Sequence, residues 1–198
     1  MFTGIIEEKG QIKEVLIEKS NRVFYIENKL ASELNVDESV SHNGICLTVE
    51  EIKNDTYKVT AIDETLQKTT AGLWKPNDII NLERSMKLNG RLDGHMVQGH
   101  VDGTGVCISR TDVNGSIEFI FQFNEKFASL IIEKGSICVN GVSLTAFDVT
   151  NNSFKVAIIP YTLSHTNFDS LKETDLVNLE FDVLGKYVAR FTSLHTLE

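Results

Sequence analysis

Across an internal repeat, a few positions exchange one reactive side chain for a different or inert one, and these are where the sequence could do chemistry. Cys46 in the first copy is Ser143 in the second, Asp37 is Lys134, His42 is Val139, and Ile5 aligns with His100. A thiol or hydroxyl can serve as a nucleophile or as a hydrogen-bonding group. Imidazole is the side chain suited to taking up a proton near neutral pH, and an ammonium can stabilise anionic charge. Duplication keeps core and turn residues alike, so divergence at small polar and ionisable positions points to two copies with unequal tasks. Each residue also has a plainer account. Cys46, between apolar neighbours, packs like a small hydrophobe, and a lone Ser or Thr on a strand is commonly a barrel residue. Asn43-Gly44 and Asn140-Gly141 read as turn or bulge positions. His95 and His100 are five apart, which on a strand of period two sets them on opposite faces and disfavours a chelating pair. His165 and His195 read as surface histidines. No Gly-rich phosphate loop, HExxH or GxSxG appears, so neither a phosphate loop nor a hydrolase triad is supported.

The elements that must hold these residues come in two copies. Phe24–Glu83 lies over Phe121–Glu180 without a gap. Asn43-Gly44-x-x-Leu47-Thr48 falls on Asn140-Gly141-x-x-Leu144-Thr145, Thr65-Leu66-x-x-Thr69 on Thr162-Leu163-x-x-Thr166, and Asn81-Leu82-Glu83 on Asn178-Leu179-Glu180. At the start the register slips by two, setting Gly4 and Gly10 on Gly99 and Gly105. Two long copies are too few for a solenoid and read as duplicated domains over 1–88 and 89–182, joined in the polar stretch Arg84–Asp93. Within each copy the period is two. Ile117, Phe119, Phe121 and Phe123 share a face after the turn signal Asn114-Gly115, and Val23–Ile26 is the first-copy counterpart. Tyr57–Ile62 and Phe154–Ile159 are further short strands, with Pro76 and Pro160 falling among the strands; Asn28–Leu34 and Glu125–Ile131 suggest one or two helical turns. Short strands with turns between them indicate an antiparallel barrel or sandwich. After Asp182, a plausible N-cap, Leu184, Tyr187, Val188, Phe191 and Leu194 recur at helical spacing. That helix and tail, 183–198, has no first-copy counterpart. The closing Leu197-Glu198 is open between native sequence and a cloning remnant.

Composition narrows the partners. The chain has 198 residues and a net charge of −9, from 28 acidic against 19 basic side chains, with no Lys/Arg cluster; nucleic acid is therefore not expected as a partner. Apolar runs such as Val156–Ile159 fall far short of the roughly 20 residues that cross a bilayer, so no membrane association is expected. The start Met1-Phe2-Thr3-Gly4 carries no secretory signal. Cys46, Cys107 and Cys138 are an odd, widely spaced set, which reads as reduced thiols in a cytoplasm.

Five motifs in order then become specific. Met1-Phe2-Thr3-Gly4-Ile5-Ile6, Asn43–Val49, Gly94-His95-Met96-Val97-Gln98-Gly99-His100-Val101-Asp102-Gly103, Lys134–Thr145 and Ile159-Pro160-Tyr161-Thr162-Leu163 together resemble riboflavin synthase of the alpha-chain type, from Met1 to about Arg190. The resemblance implies an all-β fold of tandem duplicated six-stranded antiparallel Greek-key β-barrels with a C-terminal α-helix, assembled as a homotrimer through that helix. It implies dismutation of two molecules of 6,7-dimethyl-8-ribityllumazine to riboflavin and 5-amino-6-ribitylaminouracil, with no metal and no redox cofactor. An association with lumazine synthase is the further partner it raises. The catalytic set it implies is His100, Cys46, Ser143, Thr145 and Lys134, supported by Phe2, His95 and Asp182. His100 is the first candidate for the base that deprotonates the donor's 7-methyl group. Ser143 or Cys46 would contact the ring, with water an alternative nucleophile, and Lys134 would hold anionic charge or the ribityl chain. The pocket walls it implies are Gly4, Ile5 and Ile6; Cys46, Leu47 and Thr48; Ile62, Asp63, Glu64 and Thr65; Gly99, His100 and Val101; Ser143, Leu144 and Thr145; and Ile159, Pro160, Tyr161, Thr162, Leu163 and Ser164. Two departures stand out: Ile45-Cys46 replaces a pair of cysteines found in some members, and Asn140 stands where Asp is frequent.

A rival of another class is a non-catalytic lumazine- or flavin-binding antenna protein of the same fold. Retention of Cys46, His95, His100, Lys134, Ser143 and Thr145 together favours the enzyme. A flavin-binding barrel of an oxidoreductase would need a nicotinamide-binding βαβ unit, which the sequence lacks.

Overall fold

A computed structural model of the chain describes residues 1–195; the end of the 183–198 segment, including the Leu197-Glu198 dipeptide, lies outside the described residues. Alternation of apolar and polar residues yields twelve strands. In the first copy these are β1 (Glu8–Glu18), β2 (Asn21–Glu27), β3 (Ser39–His42), β4 (Ile45–Lys53), β5 (Thr56–Ala61) and β6 (Ile79–Arg84). In the second they are β7 (Gly103–Asp112), β8 (Ile117–Gln122), β9 (Ser136–Val139), β10 (Val142–Thr145), β11 (Ser153–Ile158) and β12 (Leu176–Phe181). The first six close an antiparallel barrel in the order β1-β2-β5-β4-β3-β6, sealed where Glu8 pairs with Leu82 and Gln11 with Ile79. The second six follow the same circular order, β10-β9-β12-β7-β8-β11. Here β10 is short, and its seam with β11 is carried by one bridge between Phe147 and Lys155. Even a register shift repeats, between Ile12 and Glu14 in β1 and between Cys107 and Ser109 in β7.

Each barrel holds its own core. Phe24, Ile26, Tyr57, Val59 and Trp74 fill the first, and Phe119, Phe121, Phe123, Phe154, Phe168 and Phe181 make the second richly aromatic. The expected helical turns form as 3-10 helices at Lys29–Glu33 and Glu125–Leu130. Two short α-helices were not expected: α1 (Asp63–Lys68) and α2 (Pro160–His165). Six residues make fewer than two turns, too few for helical periodicity to register. Pro160 does not lie in a strand. It opens α2, where its missing N–H breaks no helical bond.

The barrels meet across a pseudo-twofold. Asn43-Gly44 and Asn140-Gly141 have positive φ at both positions, 48° and 82° in one and 46° and 82° in the other, as a two-residue hairpin turn requires. These turns join β3 to β4 and β9 to β10, and their tips touch: a Cβ on Gly44 would lie 3.0 Å from the Gly141 N. Buried asparagines stitch the contact reciprocally. The Asn81 Nδ2 donates to the Asn140 carbonyl and the Asn178 Nδ2 to the Asn43 carbonyl, both at 2.8 Å. Phe2 and Val97 exchange backbone bonds of 2.7 and 3.1 Å, and with buried Cys138 they form a small third core on which Cys46 packs.

The last element is α3 (Val183–His195). Asp182 caps it, accepting from the Leu184 N at 3.0 Å. Lys186 ties it to the second copy through an ion pair with Asp102 at 2.7 Å. Its stripe of Leu184, Tyr187, Val188, Phe191 and Leu194 is 54–74% exposed. No helix among the described residues is long and apolar enough to cross a membrane.

Candidate functional site

Two cavities sit at equivalent places on the two copies. The first, about 370 Å³, is lined by Cys46, Leu47, Thr48, Glu50, Thr60, Ile62 and Thr65. Each of these has its aligned partner in the wall of the second, about 560 Å³: Ser143, Leu144, Thr145, Phe147, Ala157, Ile159 and Thr162, joined there by Ile5, Asp93, Gly94, Lys134, Ser136 and Ile158. Fold and repeat thus build one pocket twice, while the chemistry of its walls differs. A thiol, a carboxylate and a threonine hydroxyl line the first cavity where a hydroxyl, a phenyl ring and a methyl line the second.

The segment leading into each barrel reaches over to the cavity of the other. Before β1, the Gly4 carbonyl accepts from the Ser143 N at 2.8 Å; before β7, the Gly99 carbonyl accepts from the Cys46 N at 2.9 Å. Gly4 and Gly99 have φ of 77° and 81°, and a Cβ on either would fall 2.5 Å from the Cβ of Ser143 or Cys46, so glycine alone fits. Ile5 follows Gly4 at the second cavity, and His100 follows Gly99, whose carbonyl is bonded to Cys46 on β4. Ile6 packs on the second core and Val101 on the first.

His95 and His100 do not share a strand, because residues 94–102 form an irregular segment with one bridge at Val97. The expected separation of the two rings holds for a different reason: His95 is buried at one copy and His100 is exposed beside the other. His95 Nδ1 lies 2.7 Å from the Ser143 Oγ. Burial pushes the His95 imidazole below its usual range, opposed by the charge of Asp182. The ring is therefore held neutral against a hydroxyl, with Asp182 near enough to favour a proton arriving on it. Lys134, in the left-handed region at φ 61°, puts its ammonium 4.9 Å from the centre of the Phe147 ring in the wall of the same cavity. Thr145 lines that cavity too, and Phe2 lies fully buried at the junction.

Other wall residues flank the cavities. Asp63 and Glu64 open α1 and pair along it with Gln67 and Lys68. Pro160, Tyr161 and Ser164 are exposed on α2, where Tyr161 stacks on His165 at 4.1 Å, while Leu163 packs on the second core. His42, singled out as a divergent ionisable position, lines neither cavity. It is fully buried in the first barrel with its Nε2 2.9 Å from the Tyr57 hydroxyl and its Nδ1 unpartnered. The residues aligned with this pair, Val139 and Phe154, both belong to the second core, so the exchange swaps a polar core pair for an apolar one. Asp37 is exposed on a turn. Cys138 is sealed in the junction core, and burial holds its thiol far above the usual range. No cluster of metal-binding side chains occurs among the described residues.

Residue types alone did not disclose two buried glutamates. Glu180 accepts from the main-chain N–H of Gln98 (2.6 Å), Gly99 and His100 (both 2.9 Å). Glu83 accepts from the N–H and hydroxyl of Thr3, both at 2.6 Å, and from the Gly4 N–H at 2.9 Å. Their signal was the repeated Asn-Leu-Glu triplet.

Comparison with known proteins agrees with the duplication. A family model for the lumazine binding domain matches residues 3–85 and again 98–182. Riboflavin synthase of Actinobacillus pleuropneumoniae is 41% identical over 192 residues, covering 96% of this chain and 89% of that protein. Riboflavin synthase of Bacillus amyloliquefaciens is 36% identical over 199 residues, covering 100% of this chain and 92% of that protein. Among solved structures, LumP complexed with riboflavin has the same fold, with a TM-score of 0.85 at 21% identity over 91% of this chain and 99% of that one. With both repeats matched and full-length relatives at these identities, the chain belongs to the riboflavin synthase family.

Proposed function

We propose that the chain is a riboflavin synthase, transferring a four-carbon unit from one 6,7-dimethyl-8-ribityllumazine to a second and releasing riboflavin and 5-amino-6-ribitylaminouracil. The observation that carries this reading is the residue-by-residue match of the two cavity walls. A reaction between two molecules of one substrate needs two pockets of one shape, and unequal roles for donor and acceptor need walls of unequal chemistry. Holding the two rings in register supplies about 7–11 kcal/mol in favourable cases. His100 takes the proton from the donor's 7-methyl group, leaving a carbanion to attack the acceptor. Ser143 Oγ, hydrogen-bonded to neutral His95, or Cys46 would contact a lumazine ring, and His95 can receive the hydroxyl proton with Asp182 stabilising the imidazolium. Lys134 neutralises developing negative charge or holds the ribityl chain, and Thr145 and Phe2 complete the setting.

We assign 1–88 and 89–182 to the two lumazine-binding units and 183–198 to assembly. Three copies meeting along the exposed face of α3 would bury Leu184, Tyr187, Val188, Phe191 and Leu194 and bring a first cavity of one copy to a second cavity of the next. Three unpaired thiols suit a cytoplasmic protein. The test is the absorption spectrum after mixing the purified protein with 6,7-dimethyl-8-ribityllumazine. Conversion to the riboflavin spectrum is expected; a stable spectrum of bound lumazine would make the chain a carrier instead.

A further inference from the structure

Glu83 and Glu180 are only 3% and 2% exposed, and neither joins an ion pair among the described residues. Burial pushes both carboxyls above their usual range. A carboxylate removed from water with no cation in ion-pair contact needs strong donors, and each finds three, Glu180 being helped further by the more distant charge of Lys186. These donors are the leading segments that cross to the opposite cavity. Around His100 the restraint is double: Glu180 on β12 takes the N–H groups of Gly99 and His100, and Cys46 on β4 donates its N–H to the Gly99 carbonyl. The peptide that carries His100 is therefore gripped from both barrels. No hydrogen bond among the described residues holds the His100 ring, so its backbone sets its position.

We propose that Glu180 is a positioning residue of the reaction, fixing the Gly99–His100 main chain so that the His100 imidazole is presented at the Cys46 cavity, and that Glu83 is its mirror, fixing Gly4 and Ile5 at the Ser143 cavity. The proposal rests on the activity read above. It assigns one carboxylate to the ionisable half of the site and an equivalent one to the inert half, so each serves as a control for the other.

Glu180→Gln keeps one acceptor oxygen but turns an amide NH2 toward main-chain N–H donors. The segment shifts, and a misplacement on the scale of 1 Å costs on the order of 10²-fold in turnover. In a His100→Gln background there is no imidazole to misplace, so the same substitution should change the remaining turnover by less than about threefold. Glu83→Gln makes an equal chemical change on the other side and should lower turnover by the same factor in both backgrounds. Hydrogen exchange gives a readout apart from activity: the His100 amide should exchange at least about tenfold faster in Glu180→Gln than in the unmodified chain. Equal losses of turnover for Glu180→Gln with and without His100, or an unchanged His100 amide, would overturn the proposal. If Glu180→Gln does not fold, Glu180→Asp, which keeps the charge and withdraws it by one methylene, enters the same comparison with the same expectations. Turnover of the unmodified chain is measured first; its absence would fail the activity reading itself, whereas turnover with equal losses in both backgrounds fails the clamp alone.

Discussion

Replacing His42 by Val and Tyr57 by Phe rebuilds in the first barrel the Val139 and Phe154 of the second, and it should remove a defined part of the acid sensitivity of the fold. His42 is fully buried, and burial pushes its imidazole from 6.5 down to about 4, opposed only in part by the backbone at Ile45 and Val40. The native state therefore holds the ring neutral over a range where the unfolded chain binds a proton. The stability this group contributes is complete above pH 6.5 and is lost as the pH falls towards 4. At about 1.4 kcal/mol per pKa unit, a difference of some 2.5 units corresponds to about 3 kcal/mol. Either single substitution strands one polar partner, since the 2.9 Å bond joins the two side chains, and should cost about 1–3 kcal/mol at neutral pH. The double variant strands neither and should lie closer to the parent. Urea unfolding of parent and double variant, at one protein concentration and at steps from pH 7 to pH 4, measures the difference directly. The two stabilities should converge or cross as the pH falls, with a change in their difference of about 3 kcal/mol. A difference that stays constant from pH 7 to pH 4 would refute the assignment of that slope to His42.

His100→Gln should lower turnover by roughly 10²–10⁴-fold, the usual contribution of a general base, while lumazine binding, followed by fluorescence, survives; turnover like that of the parent removes His100 from the chemistry. Cys46→Ser should keep appreciable activity and Cys46→Ala much less, because the aligned Ser143 already places a hydroxyl in this motif; equal activities would return Cys46 to packing. A chain ending at Asp182 should sediment as a smaller species than the parent and lose most turnover while each barrel still binds lumazine. A monomer of that length with full turnover would place a complete site within one subunit.

How much of the molecule is legible in its sequence depends on the range of each interaction. The hairpins at Asn43-Gly44 and Asn140-Gly141 are local, and the stripe on α3 repeats at helical spacing, so both can be read along the chain. The repeat also exposes the cavity walls, since Cys46–Thr48 and Ser143–Thr145 occupy the same motif. The crossing of the leading segments is not legible, because it joins Gly4 to Ser143 and Gly99 to Cys46 across the molecule. The His95–Ser143 contact is hidden likewise. Strand alternation separates His95 from His100 by facing them oppositely, whereas the irregular chain separates them by delivering each to a different copy. Glu83 and Glu180 are visible as repeated residues, but alternation along a strand assigns the neighbour of a core leucine to solvent. On β6 and β12 that outward face meets the leading segment instead, and the carboxylate is buried.

The crossing segments carry a consequence for how the two cavities can differ. Were each repeat a separate chain paired by a true twofold, every substitution would enter both cavities together; an imidazole after the first crossing glycine would come with an imidazole after the second. Covalent linkage breaks that bond between the two sites. One polypeptide can carry isoleucine at Ile5 and histidine at His100, thiol at Cys46 and hydroxyl at Ser143, on frames with the same circular strand order. On the function proposed above, two identical substrate molecules would be met by surroundings that tell them apart, and the protein would decide which one gives and which one receives.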